Sequence, residues 1–295
     1  MTMQAIRYKG QPIAKSGAYF GVPIEDYHSG HLCDGWSVSS SSLKRMLQSP
    51  AHYWAACKRN PEREPEERSD ALDMGAAAHC AALEPEKFAE QFVVSEYDDF
   101  RSKEARAWRE AARGTGKIVL TEDQHRTVKR MAARLAQEPE ALALFRDGLP
   151  ELTFAHQDEH TGLWLLARPD FVPADPSRGL VDYKTARTAD PGAWSRQAFD
   201  LAYPLQAALA LHVVEKATGE KRPTFWFVVQ ESASPHVVTT LRLEPEQIAY
   251  GRQQMRDALD RLARCIETGR WPGYVEGPTS VVTPRYLSHL IEEAA

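Results

Sequence analysis

The sequence predicts a mixed α/β (α+β) protein in which a central mixed β-sheet is flanked by helices. Three observations predict it: helix signals dominate the first half, short β-prone segments begin near residue 151, and helical stretches separate the later strands. The chain has 295 residues, 43% of them hydrophobic, which is enough for a sizeable core. We therefore expect a single domain over residues 1–295, with a helical part at about 36–148, a sheet core at about 149–275 and a C-terminal tail at 276–295.

Five groups of residues predict the helices of the first half. Ser39 to Ser42 can cap a short helix, and Pro50 can open a second one in the basic stretch 36–59. The alanine-rich segment 71–83 predicts a closely packed helix that carries His79. Segments 103–113 and 121–137 complete the set, and the acidic, proline-containing segment 61–70 predicts a mobile loop.

The second half predicts strands that alternate with helices. Segments 151–155, 163–171 and 179–184 are β-prone and separated by turn residues, which predicts a three-stranded meander. Helices are expected at 191–199 and 203–217, strands at 224–230 and 236–243, and a long amphipathic helix at 245–268.

Composition and charge exclude several classes of protein. With 36 basic and 41 acidic residues, the net charge of −5 excludes binding to nucleic acid or an anionic membrane through overall charge, so any phosphate site must be local. The start lacks the apolar core of a signal peptide, and no run of about 18 apolar residues occurs. We expect a cytoplasmic protein without membrane contact. The spacing of the four cysteines predicts reduced thiols rather than a zinc or iron–sulfur site.

Two aspartates point to a metal site. If strands 163–171 and 179–184 form a hairpin that turns about Pro176, Asp170 faces Asp182 with Cβ atoms roughly 5 Å apart. Two like charges there are destabilising unless a cation compensates them, and oxygen ligands suit Mg²⁺ or Mn²⁺. Lys184 lies on the same strand face as Asp182 and could meet a developing oxyanion. The alternative is that both aspartates are strand-end acids balanced by Lys184 and Arg168.

The spacing of these residues resembles a known signature. Arg168-Pro169-Asp170, eleven residues and then Asp182-Tyr183-Lys184 resemble the P-D…(D/E)-x-K pattern of the PD-(D/E)XK nuclease superfamily. Segments 42–53, 74–88, 161–170 and 203–206 resemble, in order, the RecE-type exonuclease domain of exodeoxyribonuclease VIII and its phage and prophage relatives. The likeness covers about residues 25–275 and implies a restriction-endonuclease-like core.

The resemblance implies roles for eight residues. His79, Asp170, Asp182 and the backbone carbonyl of Tyr183 would be metal ligands, and Lys184 the catalytic lysine. Glu151 matches a carboxylate that holds water or metal, while Tyr203 and Gln206 match a motif on the helix after the core strands. Without the resemblance, His79 and Tyr203 would be interpreted as core residues and Gln206 as a solvated one.

A second group of residues is expected to contact DNA. Ser41, Ser42, Lys44 and Arg45 combine hydroxyls, helix N-terminal amides and basic charge, which suit a DNA phosphate such as the 5′-terminal one; the alternative is an ordinary surface helix. Three further residues, just beyond the metal motif, could contact the backbone of a DNA strand: Thr185, Arg187 and Arg196.

The function implied by the resemblance is an exonuclease that depends on Mg²⁺, with Mn²⁺ as a substitute ion. It would digest one strand of linear double-stranded DNA from its ends, 5′ to 3′, in recombination or phage DNA metabolism. Relatives form rings around DNA and act beside a single-strand annealing protein, so a homo-oligomer and such a partner are implied. Two alternatives stay open: a RecB-like nuclease that acts on single strands or internal sites, and a catalytically inert DNA-binding module of the same fold.

Overall fold

The computed structural model describes residues 4–64, 69–282 and 284. Part of the expected acidic loop, 65–68, and most of the expected C-terminal tail therefore lie outside the described residues. The helices are α1 (Ile24–Tyr27), α2 (Ser40–Gln48), α3 (Pro50–Ala56), α4 (Asp70–Leu83), α5 (Phe88–Gln91), α6 (Lys103–Gly114), α7 (Glu122–Leu135), α8 (Pro139–Leu144), α9 (Pro191–Asp200), α10 (Tyr203–Thr218) and α11 (Pro245–Thr268). No helix among the described ranges is both long enough and apolar enough to cross a lipid bilayer.

The strands form two mixed five-stranded sheets and one small parallel pair, which confirms the mixed α/β class. The first sheet has the order β1-β2-β7-β8-β3 and the second the order β12-β11-β10-β9-β6. The strands of the first sheet are β1 (Ala5–Arg7), β2 (Gly17–Phe20), β3 (Ser37–Val38), β7 (Thr153–Gln157) and β8 (Trp164–Ala167). Those of the second are β6 (Gly148–Pro150), β9 (Phe171–Pro173), β10 (Leu180–Ala186), β11 (Phe225–Glu231) and β12 (Val238–Arg242), and the pair is β4 (Phe92–Val94) with β5 (Ile118–Leu120).

The expected three-stranded meander is wrong. The segment 163–171 is not one strand but two, because β8 belongs to the first sheet and β9 to the second. The break falls at Arg168-Pro169-Asp170, where proline has no N–H to donate to a continuing ladder. The chain therefore passes from one sheet to the other within three residues.

The register between β9 and β10 agrees with the sequence-based expectation. Val181 pairs with Phe171 in an antiparallel ladder, so the next pair outward is Asp170 with Asp182. Extending the β6–β9 register by one pair in the same way places Glu151 opposite Asp170. Three carboxylates thus lie in a row across three neighbouring strands.

One hydrophobic core connects both sheets to the central helix α10. The main buried cluster contains Phe154 of β7, Leu165 of β8, Phe227 of β11, and Leu205 and Val213 of α10. Because α10 is buried along most of its length, its first turn has a defined position relative to both sheets.

A glycine allows α11 to approach the start of α10 closely. A Cβ atom placed on Gly251 would lie 2.0 Å from the carbonyl oxygen of Pro204, a distance that real Cβ atoms do not adopt. The absence of a side chain at this position is therefore what permits the two helices to pack at their present separation.

We predict that Gly251→Ala destabilises the protein, although alanine is the better helix former by about 1 kcal/mol. The added methyl must displace backbone, and overpacking of this kind typically costs about 1–3 kcal/mol. Chemical denaturation measures the effect. The matched control is Gly114→Ala at the end of α6, where no atom lies within 4 Å of the new Cβ, and it should be neutral or stabilising. Equal stability of the two variants would contradict the packing argument.

The turn between β7 and β8 is attached to α11 through an ion pair. Asp158 accepts hydrogen bonds from both terminal nitrogens of Arg256, at 3.1 and 3.2 Å, and from the Thr161 hydroxyl. Burial acts to raise the pKa of Asp158, but the bonds from Arg256 and Thr161 outweigh it and lower the pKa to about 2. The folded state therefore favours the ionised carboxylate.

We predict that Asp158→Asn lowers the free energy of unfolding at neutral pH by about 1–2 kcal/mol. Because the folded pKa lies below the usual value near 4, the contribution of the carboxylate is full above that value and disappears as the pH falls through about 2. The difference between wild type and variant should therefore shrink below pH 4 in urea titrations. Asp257→Asn on the exposed face of α11 serves as the control, and a difference that does not depend on pH would refute the ion-pair explanation.

Candidate active site

The end of the β9–β10 ladder brings two aspartates and a lysine together. Asp170 Oδ2 accepts the backbone N–H of Tyr183 at 2.6 Å, which fixes the first carboxylate against β10. Asp182 is 2% exposed, and Lys184 Nζ lies 2.5 Å from Asp182 Oδ2 on the same face of the strand. The structure thus places the two acids and the amine as the spacing predicted.

His79 reaches this site from α4. Its Nε2 atom lies 3.2 Å from Asp170 Oδ2 and 3.3 Å from Glu151 Oε1. The helix can approach β10 because its inner residues are small: Ala78 is buried, and a Cβ on Gly75 would already touch Thr185 Oγ1 at 3.4 Å. The alanine and glycine content of the helix therefore serves to bring an imidazole to the carboxylates.

Glu151 occupies an unusual backbone position. It follows β6 rather than lying in the expected strand 151–155, its φ angle is +53°, and its N–H donates to the carbonyl of Asp170 at 3.2 Å. A non-glycine residue in the left-handed region is uncommon and costs of order 1 kcal/mol. Arg168 lies 3.9 Å from the Glu151 carboxylate and is itself held by the Thr153 hydroxyl at 2.8 Å.

The first turn of α10 contacts Asp182, and α2 in turn contacts that turn. The side-chain amide of Gln206 donates to Asp182 Oδ1 at 2.7 Å, and Lys44 Nζ donates to Gln206 Oε1 at 2.8 Å. The ring of Tyr203 lies between the two amines, 4.5 Å from Lys44 Nζ and 5.4 Å from Lys184 Nζ. Tyr203 and Gln206 therefore both belong to the site.

The electrostatics of the site reflect crowded carboxylates. Burial and the charge of Asp170 raise the pKa of Glu151 and of Asp182, whereas the charge of His79 overcomes burial and lowers the pKa of Asp170. Burial acts to lower the pKa of His79, but Asp170 and Glu151 outweigh it and raise the pKa to about 9. The imidazole therefore carries a proton at neutral pH, which it would release on binding a metal ion.

The residues present fit a divalent cation. One ligand atom each from His79, Glu151 and Asp170 lie within 4.8 Å of one another, and one imidazole with two carboxylates is a donor set that Mn²⁺ or Mg²⁺ accepts. Asp182 Oδ2 is buried without an aligned hydrogen-bond donor among the described residues. The grouping differs from the expected ligand set, because the structure joins Glu151 to the cluster and engages Asp182 with Lys184 and Gln206.

The residues expected to contact DNA are distributed over several elements. Ser41 is exposed on α2, and its hydroxyl lies 2.9 Å from that of Ser39, which begins the helix without capping its backbone. Ser42 and Arg45 are half-buried on the same helix. Thr185 lies on β10, and two exposed arginines follow, Arg187 after β10 and Arg196 on α9. Of these residues, Lys44 is the one for which the structure shows direct contact with Gln206 and Tyr203.

Sequence reasoning missed two contacts of the site. The bond between Lys44 and Gln206 joins residues 162 positions apart, and no local pattern indicates it. The hydrogen bonds of Arg168 to the Thr153 hydroxyl and the Val22 carbonyl were also missed. The position of Arg168 beside Pro169 and Asp170 could have indicated that this residue lies at the site.

The row of acids, the neighbouring lysine and the mixed sheets define a PD-(D/E)XK-like protein. Residues 39–281 match the family model of the PDDEXK-like domain of unknown function DUF3799, and the chain belongs to this family.

One solved structure shares the fold of this chain. A candidate exonuclease from Eubacterium rectale superposes with a TM-score of 0.57 at 13% identity, over 88% of this chain and 97% of that one. An alkaline exonuclease from Laribacter hongkongensis matches with a TM-score of 0.27 at 15% identity, over 74% of this chain and 93% of its own. No curated protein matches the sequence.

We predict that Mn²⁺ alone, added without DNA, binds the protein and raises its thermal unfolding temperature, because a ligand that binds only the folded state stabilises it. Asp170→Asn removes a charge from the cluster and should weaken Mn²⁺ binding by at least about tenfold in calorimetry, the lower end of the effect of losing even an outer partner of a metal site. Asp257→Asn is the control. Wild-type affinity in Asp170→Asn would show that the cluster does not hold the ion.

Proposed function

We propose that this protein is a divalent-metal-dependent nuclease that hydrolyses phosphodiester bonds of DNA. The observation that carries the proposal is the convergence of His79, Glu151, Asp170 and Asp182 with the amine of Lys184 at the end of three adjacent strands. Membership of a PDDEXK-like family supports it, because three of the residues that converge, Asp170, Asp182 and Lys184, match the acidic and lysine signature.

His79, Glu151 and Asp170 would hold the metal ion, and Asp182, whose Oδ2 has no aligned donor, would complete the ligand set. A bound Mg²⁺ or Mn²⁺ would supply positive charge to the phosphoryl group under attack and lower the pKa of a water molecule. The row of carboxylates in turn requires that charge, since holding three acids side by side, one of them buried, is unfavourable without compensation. We propose Mg²⁺ as the natural ion and expect Mn²⁺ to replace it.

Lys184 is suited to electrostatic stabilisation rather than to proton abstraction. Burial acts to lower the pKa of its amine, but Asp182 and Asp170 outweigh it and raise the pKa above the ordinary value. The amine is therefore an ammonium at neutral pH. It can orient a water molecule by hydrogen bonding and stabilise the negative charge that develops on the phosphoryl oxygens.

Glu151 is the carboxylate best placed to accept a proton from that water. Its side chain is 23% exposed, whereas that of Asp182 is 3% exposed and engaged by Lys184 and Gln206. Arg168 approaches the far oxygen of Glu151 and limits the directions in which the carboxylate can turn.

We propose further that the enzyme is an exonuclease that digests one strand of linear duplex DNA, 5′ to 3′. The order of four segments that resemble RecE-type exonucleases supports this, as does the extent of the match to the Eubacterium rectale candidate exonuclease, 97% of whose chain is covered. The same resemblance supports a homo-oligomeric ring, a single-strand annealing protein as partner, and a role in recombination or phage DNA metabolism.

We predict that the purified protein degrades linear duplex DNA with 5′-phosphorylated ends in the presence of Mg²⁺ and leaves circular DNA intact. Substrates labelled at either the 5′ or the 3′ end report polarity, and early release of the 5′ label is the expected result. Lys184→Ala and Asp182→Asn should each lower the rate by about 10²–10³-fold, because each removes preorganised charge from the reacting centre.

The control for these variants is Lys129→Ala, on the exposed face of α7, which should retain the wild-type rate. Cleavage of circular DNA at a comparable rate would indicate a nuclease that acts internally. Full activity of either site variant would reject this site, and wild-type protein that cleaves no DNA with either ion would reject the function.

A further inference from the structure

Lys44, the lysine on α2 for which the sequence predicts phosphate binding, lies beside the candidate active site. Its side chain points into the protein rather than into solvent, and its amine donates a hydrogen bond to Gln206 and lies over the ring of Tyr203. We propose that Lys44 is a positioning residue, which locks the Gln206 amide in the one orientation that holds Asp182 for metal binding and catalysis. This inference rests on the proposed function.

The donors and acceptors of the three side chains dictate the orientation of the amide. An amine or ammonium that donates to Gln206 must meet its carbonyl oxygen, and an ionised carboxylate can only accept, so it must meet the amide NH₂. With the ammonium form of Lys44 on one side and ionised Asp182 on the other, a flipped amide would lose both hydrogen bonds, of 2.8 and 2.7 Å. Lys44 therefore determines what Gln206 presents to Asp182.

The two oxygens of Asp182 are thereby given different partners. Oδ1 accepts from Gln206, while Oδ2 lies 2.5 Å from Lys184 Nζ and has no aligned donor of its own. If the amide rotated away, Oδ1 would be buried without a partner, and the carboxylate could turn about its χ2 angle. Outer partners of this kind fix ligand orientation, and losing one typically weakens metal affinity or activity about 10–100-fold.

The environment of Lys44 disfavours its charged form, which is not expected for a lysine that serves to bind phosphate. Burial and the nearby charge of Lys184 lower the pKa of Lys44 to about 7, against the opposing charge of Asp182. A lysine that captured DNA phosphate would be expected to extend into solvent and keep its full charge. The Lys44–Gln206–Asp182 chain instead connects α2, α10 and β10 across the site.

The two roles predict different kinetics. A phosphate contact contributes equally to substrate and transition state, so its loss raises KM with little change in kcat. A residue that acts through Asp182 changes kcat and metal affinity but not the KM for DNA. In addition, a residue that acts only through Gln206 has no effect once Gln206 is gone, so the two substitutions are not additive.

The experiment compares Lys44→Met, Gln206→Leu and the double variant with wild type. Mn²⁺ affinity is measured by calorimetry without DNA, and kcat and KM on linear duplex DNA. We expect each single variant to weaken Mn²⁺ binding by about tenfold, the double variant to be no weaker than either single one, and kcat to fall in parallel with KM unchanged within about twofold. Lys129→Met is the control for loss of a lysine, and Lys44→Leu replaces Lys44→Met if thermal unfolding shows that the latter is misfolded.

Unchanged Mn²⁺ affinity in Lys44→Met would overturn the inference, as would losses that multiply in the double variant or a rise in KM alone. If the wild-type protein cleaves no DNA, the proposed function fails, and the inference is then decided by the Mn²⁺ affinities alone.

Discussion

The row of carboxylates across β6, β9 and β10 is the constraint on which the rest of the site depends. Glu151 directly follows β6, Asp170 directly precedes β9 and Asp182 lies within β10, so the pairing of these strands holds the three charges close together. Such an arrangement is unfavourable by itself. It explains why the surrounding elements contribute cationic or proton-donating groups: His79 from α4, and Lys184 from β10.

The supporting structure is built to bring those groups inward. α4 is composed of small residues on the side that faces β10, and α10 begins at a short separation from α11 because Gly251 has no side chain. Both features act at a distance from the carboxylates, yet each determines whether a functional side chain reaches them. A third feature lies within the site itself: the left-handed backbone conformation of Glu151 directs its carboxylate toward His79 at the cost of some strain.

Much of this arrangement follows from short-range sequence patterns. The helices at 40–48, 50–56, 70–83 and 245–268 begin near the residues that predicted them, because capping residues and prolines act locally. The pairing of Asp170 with Asp182 was also predictable, since a hairpin has few plausible registers. The strands β1 to β3 were missed because two to four residues carry too little alternation to be recognised. The bond between Lys44 and Gln206 was missed because only the tertiary fold brings α2 to α10.

The switch of sheets at Pro169 has a mechanical consequence. Arg168 is tied to β7 of the first sheet through the Thr153 hydroxyl, whereas Asp170 leads into β9 of the second, and one residue separates them. The distance between the Arg168 guanidinium and the Glu151 carboxylate therefore depends on how the two sheets are oriented relative to each other. A substitution in the core of either sheet that altered this orientation would change the geometry around Glu151 without contacting it, so the candidate active site is sensitive to mutations well beyond the residues that line it.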